Sequence, residues 1–273
     1  MAFSVNTNEG ALVALRSLTS TTNKLGTVQN RINTGLKVAS AKDNAAVFNI
    51  AQKLRSNLAG LSAVQSSIDR AQGSIDVAIA AGEAVSDLLL QMKEKAVAAK
   101  DSGLDATSRG ALNDEFNELR KQVTTIVDNA SFNGVNAVKT DAVVAVLNDD
   151  ASKTLTVAVQ NLSLGGSIVT LAATESINTQ DLASVALAKI EASITNVGKS
   201  LAKFGAGSNR LSIQKSFVTK LSDTIEVGIG NLVDADLAKE SANLQALQVK
   251  QQLGLQALSI ANQAPGAVLA LFG

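Results

Sequence analysis

Residues 54–96 read LRSNLAGLSAVQSSIDRAQGSIDVAIAAGEAVSDLLLQMKEKA, and the apolar spacing inside this stretch decides the fold. Leu54, Leu58, Leu61, Val64, Ile68, Ala71, Ile75 and Ile79 are followed by Val85, Leu89, Met92 and Ala96. Steps of three and four residues keep these side chains on one face of an α-helix, where a strand would need steps of two. About six heptads of seam predict a long helix packed against partner helices. Gly82 interrupts the stripe, and Asp101-Ser-Gly103 predicts its end.

Working outward, Leu112, Phe116, Leu119, Val123 and Ile126 predict a second helix that ends near Asp128-Asn129. In the late half, Ile190, Ile194, Val197, Leu201 and Phe204 repeat the spacing, and Leu211, Val218, Leu221, Ile225 and Leu232 continue its phase. Gly205-Ala-Gly207 inside that run predicts a kink or a close helix approach. Between the halves the pattern changes to β-branched runs, Val143–Leu147 and Thr154–Val159, around the polar turn Asn148-Asp-Asp150. That predicts a β-hairpin, with Ser167–Leu171 as a third strand. The fold class is mainly α: a long antiparallel helical bundle or coiled coil with a small β-hairpin insert at about 138–172.

Both ends carry weaker stripes. Leu15, Leu18, Leu25, Val28 and Ile32 mark the first; Leu237, Leu244, Leu247, Leu255, Leu258 and Leu269 mark the last. Each is set among Asn, Gln, Ser and Thr and needs a partner to hold a stable helix. They either pair within one chain or order only on assembly.

Composition narrows the function. Leu, Ile, Val and Ala dominate, aromatics are 3%, and His, Cys, Trp and Tyr are absent. Without His and Cys there is no imidazole base, thiol nucleophile, disulfide or ordinary zinc site. No Gly-rich turn leads into Gly-Lys-Ser/Thr, so a phosphate loop is not expected. The pairs Asp149-Asp150 and Asp234-Ala-Asp236 read as cap, turn or ion-pair residues. An enzyme is therefore not expected, nor is a cofactor or metal. Twenty-four basic residues balance 24 acidic ones, which gives no electrostatic footprint for nucleic acid. No stretch approaches the ~20 apolar residues of a membrane span, so membrane insertion is not expected. The start, MAFSVNTNEG, has no basic and apolar leader, which predicts export, if any, without a cleaved signal peptide. With Pro265 the only proline, long uninterrupted helices are permitted.

Five ordered motifs then carry a resemblance. Arg31-Ile-Asn-Thr-Gly-Leu-Lys-Val-Ala-Ser-Ala-Lys-Asp-Asn-Ala-Ala46 closely resembles the N-terminal signature of bacterial flagellins. Ser131-Phe-Asn-Gly134 is similar to that family's turn into its β region. Gly205-Ala206 with Asn209-Arg210-Leu211 resembles a later motif, here with Phe204 where Leu is usual. Asp234-Ala-Asp236 with Ala238 and Glu240, and Ala261-Asn-Gln263 with Pro265, resemble its ending. The short centre is like that of alphaproteobacterial flagellins.

The resemblance implies a structural subunit that polymerises into the flagellar filament for swimming motility. It implies that residues 1–40 and 235–273 pair as the innermost filament layer, and that 41–234 form the next shell. The implied assembly interface comprises Leu15, Leu18, Leu25, Arg31, Ile32, Lys42, Asp43, Asn209, Arg210, Asp234, Asp236, Leu244, Leu247 and Leu258. Implied partners are copies of itself, paralogous flagellins, an export chaperone, and cap and junction proteins, in an extracellular flagellum. Residues 88–99 correspond to the segment that many flagellins present to a vertebrate innate-immune receptor. Here Gln91, Met92, Lys93, Glu94 and Lys95 form a degenerate version, with Gln91 in place of Arg and Lys95 in place of Leu, which predicts weak activation. The nearest rival is a hook–filament junction protein, which resembles flagellins at both ends.

Overall fold

The computed structural model describes residues 7–269, with side chains as far as Gln263. The MAFSVN start and residues 270–273 lie outside them. The elements are α1 (Glu9–Thr34), α2 (Ala41–Ala99), α3 (Ala106–Asn129), β1 (Val143–Val146), β2 (Thr154–Val157), α4 (Gln180–Val233) and α5 (Leu237–Leu269). The chain divides into two compact units. One holds the stretches up to Ser56 and from Thr224; the other is Asn57–Asp223.

Each helix starts on a short polar side chain that accepts from an otherwise unpaired amide. Asn8 caps α1 through Ala11 N at 3.0 Å, and Asp105 caps α3 through Ser108 N at 2.7 Å. Thr179 and Asp236 do the same for α4 and α5. In α2 the regular helix starts after Asn44, whose backbone is extended (φ −162°, ψ 102°) and whose Oδ1 accepts from Val47 N. α1 ends on Gly35 at φ 69°, where a side chain would be strained.

In the Asn57–Asp223 unit, the buried face of α2 runs Leu61, Val64, Ile68, Ala71, Ile75, Ala78, Gly82, Val85, Leu89, Met92, Ala96 and Ala99. Gly82 therefore continues the seam that it seemed to interrupt. A Cβ there would sit 2.7 Å from Leu201 Cδ2, so the missing side chain is the seat for a leucine of α4. The seam of α4 also differs from the expected one. It runs Ala183, Ala186, Ile190, Ser193, Val197, Ser200, Phe204, Gly207 and Leu211, while Ile194 and Leu201 are only half-buried. The buried serines return their hydroxyls to the carbonyl four residues back, Lys189 and Asn196, and so cost little inside the core. α2 and α4 run antiparallel: Gln65 bonds Thr219, Asp69 pairs with Lys215, and Lys93 pairs with Glu191.

The hairpin pairs Val143 with Val157 and Val146 with Thr154, shorter than the expected runs. Val143, Ala145, Leu155 and Val157 face the core; Val144, Thr154 and Thr156 face outward. Helix glycines again make its seats. A Cβ on Gly207 would meet Val157 Cγ2 at 2.8 Å, and one on Gly60 would meet Asp149 Cβ at 2.7 Å. The third strand expected at 167–171 is absent. Thr170 N donates to Ser193 Oγ and Thr170 Oγ1 to Lys189 O, so this segment spends its polar groups on α4 rather than on a ladder. Val169 and Leu171 are fully buried. Gly205-Ala-Gly207 does not kink α4, and Gly207 serves the close approach instead.

Candidate functional site

The unit that contains both ends of the chain is built differently. α1 and α5 pack antiparallel along their length. Asn8 Nδ2 donates to Ala261 O at 2.6 Å, Leu18 Cδ1 sits 3.3 Å from where a Cβ of Gly254 would be, and Arg31 pairs with Glu240 at 3.1 Å. The two stripes thus pair within one chain. Leu18, Leu25 and Ile32 of α1 and Leu244, Leu247 and Leu258 of α5 are half-buried in this contact, while Leu15 stays exposed. Val28 is the one buried residue of α1.

Sequence reasoning missed a second apolar face. Val249, Leu253 and Ile260 lie one and three turns apart on the side of α5 opposite Leu244, Leu247 and Leu258. They are 55, 57 and 69% exposed. On α1, Leu12 and Val13 join Leu15 as exposed apolar residues. The signal was present in the sequence as apolar residues off the stripe. A helix that is apolar on two opposite faces belongs between partners on both sides.

A tight junction anchors this pair. Leu36 and Asp234 form a backbone bridge, Lys37 N and Val38 N donate to Val233 O, and Ala235 N donates to Gly35 O at 2.9 Å. Beneath it, Val38, Ala51, Ile229 and Val233 make a small buried cluster, with Leu36, Val47, Phe48, Leu54, Ile225 and Leu232 packed around it. Asp43 folds back on the loop: its Oδ2 accepts from Ala39 N, Ser40 N and Ser40 Oγ at 2.9–3.1 Å. Those bonds, led by Ser40 N, hold its carboxyl below the usual aspartate range, and the nearby Arg31 charge adds to the effect. Arg31 and Asp43 line a small cavity of about 70 Å³ with Thr27, Asn30, Thr34 and Lys37. Asp236 is spent on its own helix start, and Glu240 is buried beside Arg31 with Oε2 unpartnered. Lys42 is exposed with no partner among the described residues, and so are Asn209 and Arg210. Arg210 shares an outward helical face of α4 with Ile213 and Phe217, both strongly exposed.

In the 91–95 segment, Met92 is wholly buried in the seam. Lys95 pairs with Glu115 at 2.6 Å, Lys93 pairs with Glu191, and Gln91 and Glu94 are exposed. Lys95, Gln91 and the acidic face of α3 line an open groove of about 810 Å³. The Glu115 bond raises the Lys95 pKa, so this lysine is a fixed cation on the helix surface. An arginine that the sequence did not single out closes α2: Arg109 donates to the carbonyls of Ala99, Asp101 and Leu104.

Among the described residues, no group of His, Cys, Asp or Glu could hold a metal ion. No described helix is long and apolar enough to cross a membrane.

Comparison with known proteins gives the family. The family model described as the bacterial flagellin N-terminal helical region matches residues 5–140, and that of the C-terminal helical region matches residues 187–272. The flagellin FljM of Caulobacter vibrioides is 47% identical over 270 residues, covering 98% of both chains. A flagellin of Brucella melitensis is 34% identical over 98% of this chain and 99% of its own length. Among solved structures, a Bacillus cereus flagellin matches with TM-score 0.50 at 23% identity, covering 56% of this chain and 88% of its own. A putative flagellar hook-associated protein of Vibrio parahaemolyticus matches with TM-score 0.56 at 15% identity, covering 70% of this chain and all of its own, a likeness of fold alone. With both ends matched by the family's models and nearly the whole length aligned to its members, the chain belongs to the bacterial flagellin family.

Proposed function

We infer that the chain is a structural subunit of the bacterial flagellar filament, and that its function resides in a distributed interface with no catalytic centre. The observation that carries this reading is the second apolar face of α5, Val249, Leu253 and Ile260, which nothing within the described chain covers. Burial of such faces by neighbouring copies couples assembly to the removal of apolar surface from water. Contacts between unlike faces do not close on themselves and therefore propagate as a helix.

In this reading residues 1–40 and 235–273 form the inner filament layer and 41–234 the shell around it. Leu15 with the outward face of α5 supplies the apolar part of the interface. Lys42, Asn209 and Arg210, with no partner among the described residues, meet polar groups of neighbours. Arg31, Asp43, Asp234 and Asp236 act by holding the junction that orients the pair, while Leu18, Leu25, Ile32, Leu244, Leu247 and Leu258 hold α1 to α5. Copies of this chain and related flagellins are the main partners, with an export chaperone and cap and junction proteins serving delivery. In this reading the subunit acts at the cell exterior.

The test is seeded assembly from heat-dissociated protein, imaged by electron microscopy. The double variant Leu253→Ser with Ile260→Ser is expected to keep its circular dichroism and form no filaments. Filaments of wild-type length would overturn the reading. The same images separate a junction protein, which gives no long filaments even from the unaltered chain. Alignment over nearly the full length of the flagellin FljM, at 47% identity, favours the filament subunit. For the 91–95 segment we propose weak receptor activation, since Met92 is unavailable and Lys93 and Lys95 are tied in ion pairs. Full potency at nanomolar dose in a reporter assay would refute it.

A further inference from the structure

The chain contains one Asn-Gly pair, Asn133-Gly134, and the structure places it in an exposed turn. Both residues have positive φ, 50° and 81°, in a two-residue turn closed by the Phe132–Val135 bridge. That is the hairpin turn for which Asn-Gly is the favoured pair. Both residues are exposed, and the space around Gly134 is open. The two bridge hydrogen bonds, each 3.0 Å, use the amides of Phe132 and Val135. Among the described residues, neither the Asn133 carboxamide nor the Gly134 amide is engaged.

The other asparagines of this region lack that combination. Asn136 is buried, with Nδ2 on Val127 O at 2.8 Å and Oδ1 on Val138 N at 3.2 Å. Asn113 accepts from Ile177 N, and Asn148 and Asn161 are bound to their own turns. Asparagines within helices, such as Asn209, are followed by an amide already committed to the helix ladder.

We propose that Asn133 is a site of spontaneous self-modification in the folded protein. The backbone nitrogen of Gly134 attacks the Asn133 side-chain carbonyl carbon. The new C–N bond closes a five-membered imide, the carboxamide nitrogen departs, and the Gly134 amide proton leaves with it through solvent as ammonia. Water then adds to either imide carbonyl and opens the ring. One opening gives aspartate on the original backbone; the other gives isoaspartate, with one extra methylene in the main chain. The reaction proceeds from molecules in which the Phe132–Val135 bridge has opened locally. Either product places a negative charge on the turn.

The isoaspartate form has a further consequence. Phe132 rests on Gly73 of α2, with Cζ 2.9 Å from where a Cβ of that glycine would be. An extra backbone atom lengthens the two-residue turn, breaks the bridge and withdraws that ring from its seat. The aspartate form keeps the turn, since Asp tolerates positive φ.

The experiment uses the intact, unaltered chain. The protein is incubated folded, at mildly alkaline pH, in water enriched in heavy oxygen, then digested and mapped by mass spectrometry. Isoaspartate is identified with protein isoaspartate methyltransferase. The expected result is label at Asn133 at least roughly tenfold faster than at any other asparagine, a barrier lower by about 1.4 kcal/mol or more. Label at other asparagines first, or at Asn133 only after unfolding in urea, would overturn the proposal. In the separated products, hydrogen exchange at Phe132 and Val135 should accelerate in the isoaspartate form and not in the aspartate form. Equal protection in both would overturn the structural consequence.

Discussion

The Asn57–Asp223 unit and the α1–α5 pair are made of the same residue types at the same helical spacing, yet they bury them differently. In the former, Ile68, Ile75, Leu89, Phe116, Ile190 and Phe204 are entirely out of water. In the latter, Val28 is the one buried residue of α1, and apolar side chains face outward on both helices. Apolar area removed from water contributes about 25 cal/mol per Å², so the first region can hold itself together and the second leaves much of its stabilisation unrealised. The lesson is that a subunit made to polymerise keeps a finished core beside an unfinished one.

The sharpest way to break this contrast is to damage the finished core. Phe204→Ala removes a fully buried ring and should destabilise the isolated chain by about 3–5 kcal/mol, read from urea unfolding. A loss under about 1 kcal/mol would mean that the core is looser than its burial suggests. Next comes the glycine seating of the hairpin. Gly60→Ala drives a methyl into Asp149, whose Cα and carbonyl oxygen are each 3.1 Å from it, and should cost about 1–3 kcal/mol net of helix propensity. Gly205→Ala meets nothing within 4 Å and should instead stabilise by up to about 1 kcal/mol. The opposite signs are the test of the seating.

Smaller effects address the unfinished region. Arg31→Ala leaves the Glu240 carboxylate without a partner in a site where its side chain is 10% exposed. Because Arg31 itself is a third exposed, solvent screening limits the loss to about 1 kcal/mol, visible as faster amide exchange in α1 and α5. The smallest effect is that of acid on Asp43. Its folded pKa is lowered, so its contribution is present above the unfolded value, roughly 4, and is lost as pH falls through the lower folded value. Carboxyl carbon chemical shifts should titrate below that of a free aspartate, with exchange at Ala39 and Ser40 quickening over the same range. A midpoint at or above the free value would show that the loop is not held by this carboxylate.

Much of the fold was legible because period and residue type are local. The steps of three and four in α2 announced a helix, Asp101-Ser-Gly103 its end, and β-branched runs around Asn148 the hairpin. What escaped were positions whose role depends on a distant neighbour. Gly82 read as a break because a seam residue without a side chain is visible only once Leu201 fills it. Ser193 and Ser200 did not enter the expected seam because they are polar, and only the structure shows that the helix itself satisfies their hydroxyls. The segment 167–171 read as a strand because β propensity does not say whether a partner edge is available. For the candidate site, the stripes were visible, but the second apolar face of α5, opposite the one that meets α1, was not recognised.

By itself, the sequence determined the helical class, the place of the insert and the absence of imidazole and thiol chemistry, since these follow from composition and short-range spacing. The five motifs further marked the kinship. Only the tertiary structure decided that α1 and α5 pair within one chain, that helix glycines seat the hairpin, and that Val249, Leu253 and Ile260 are left uncovered. Burial is a property of the whole contact surface, and a residue's hydrophobicity states what it would gain from a partner without naming the partner.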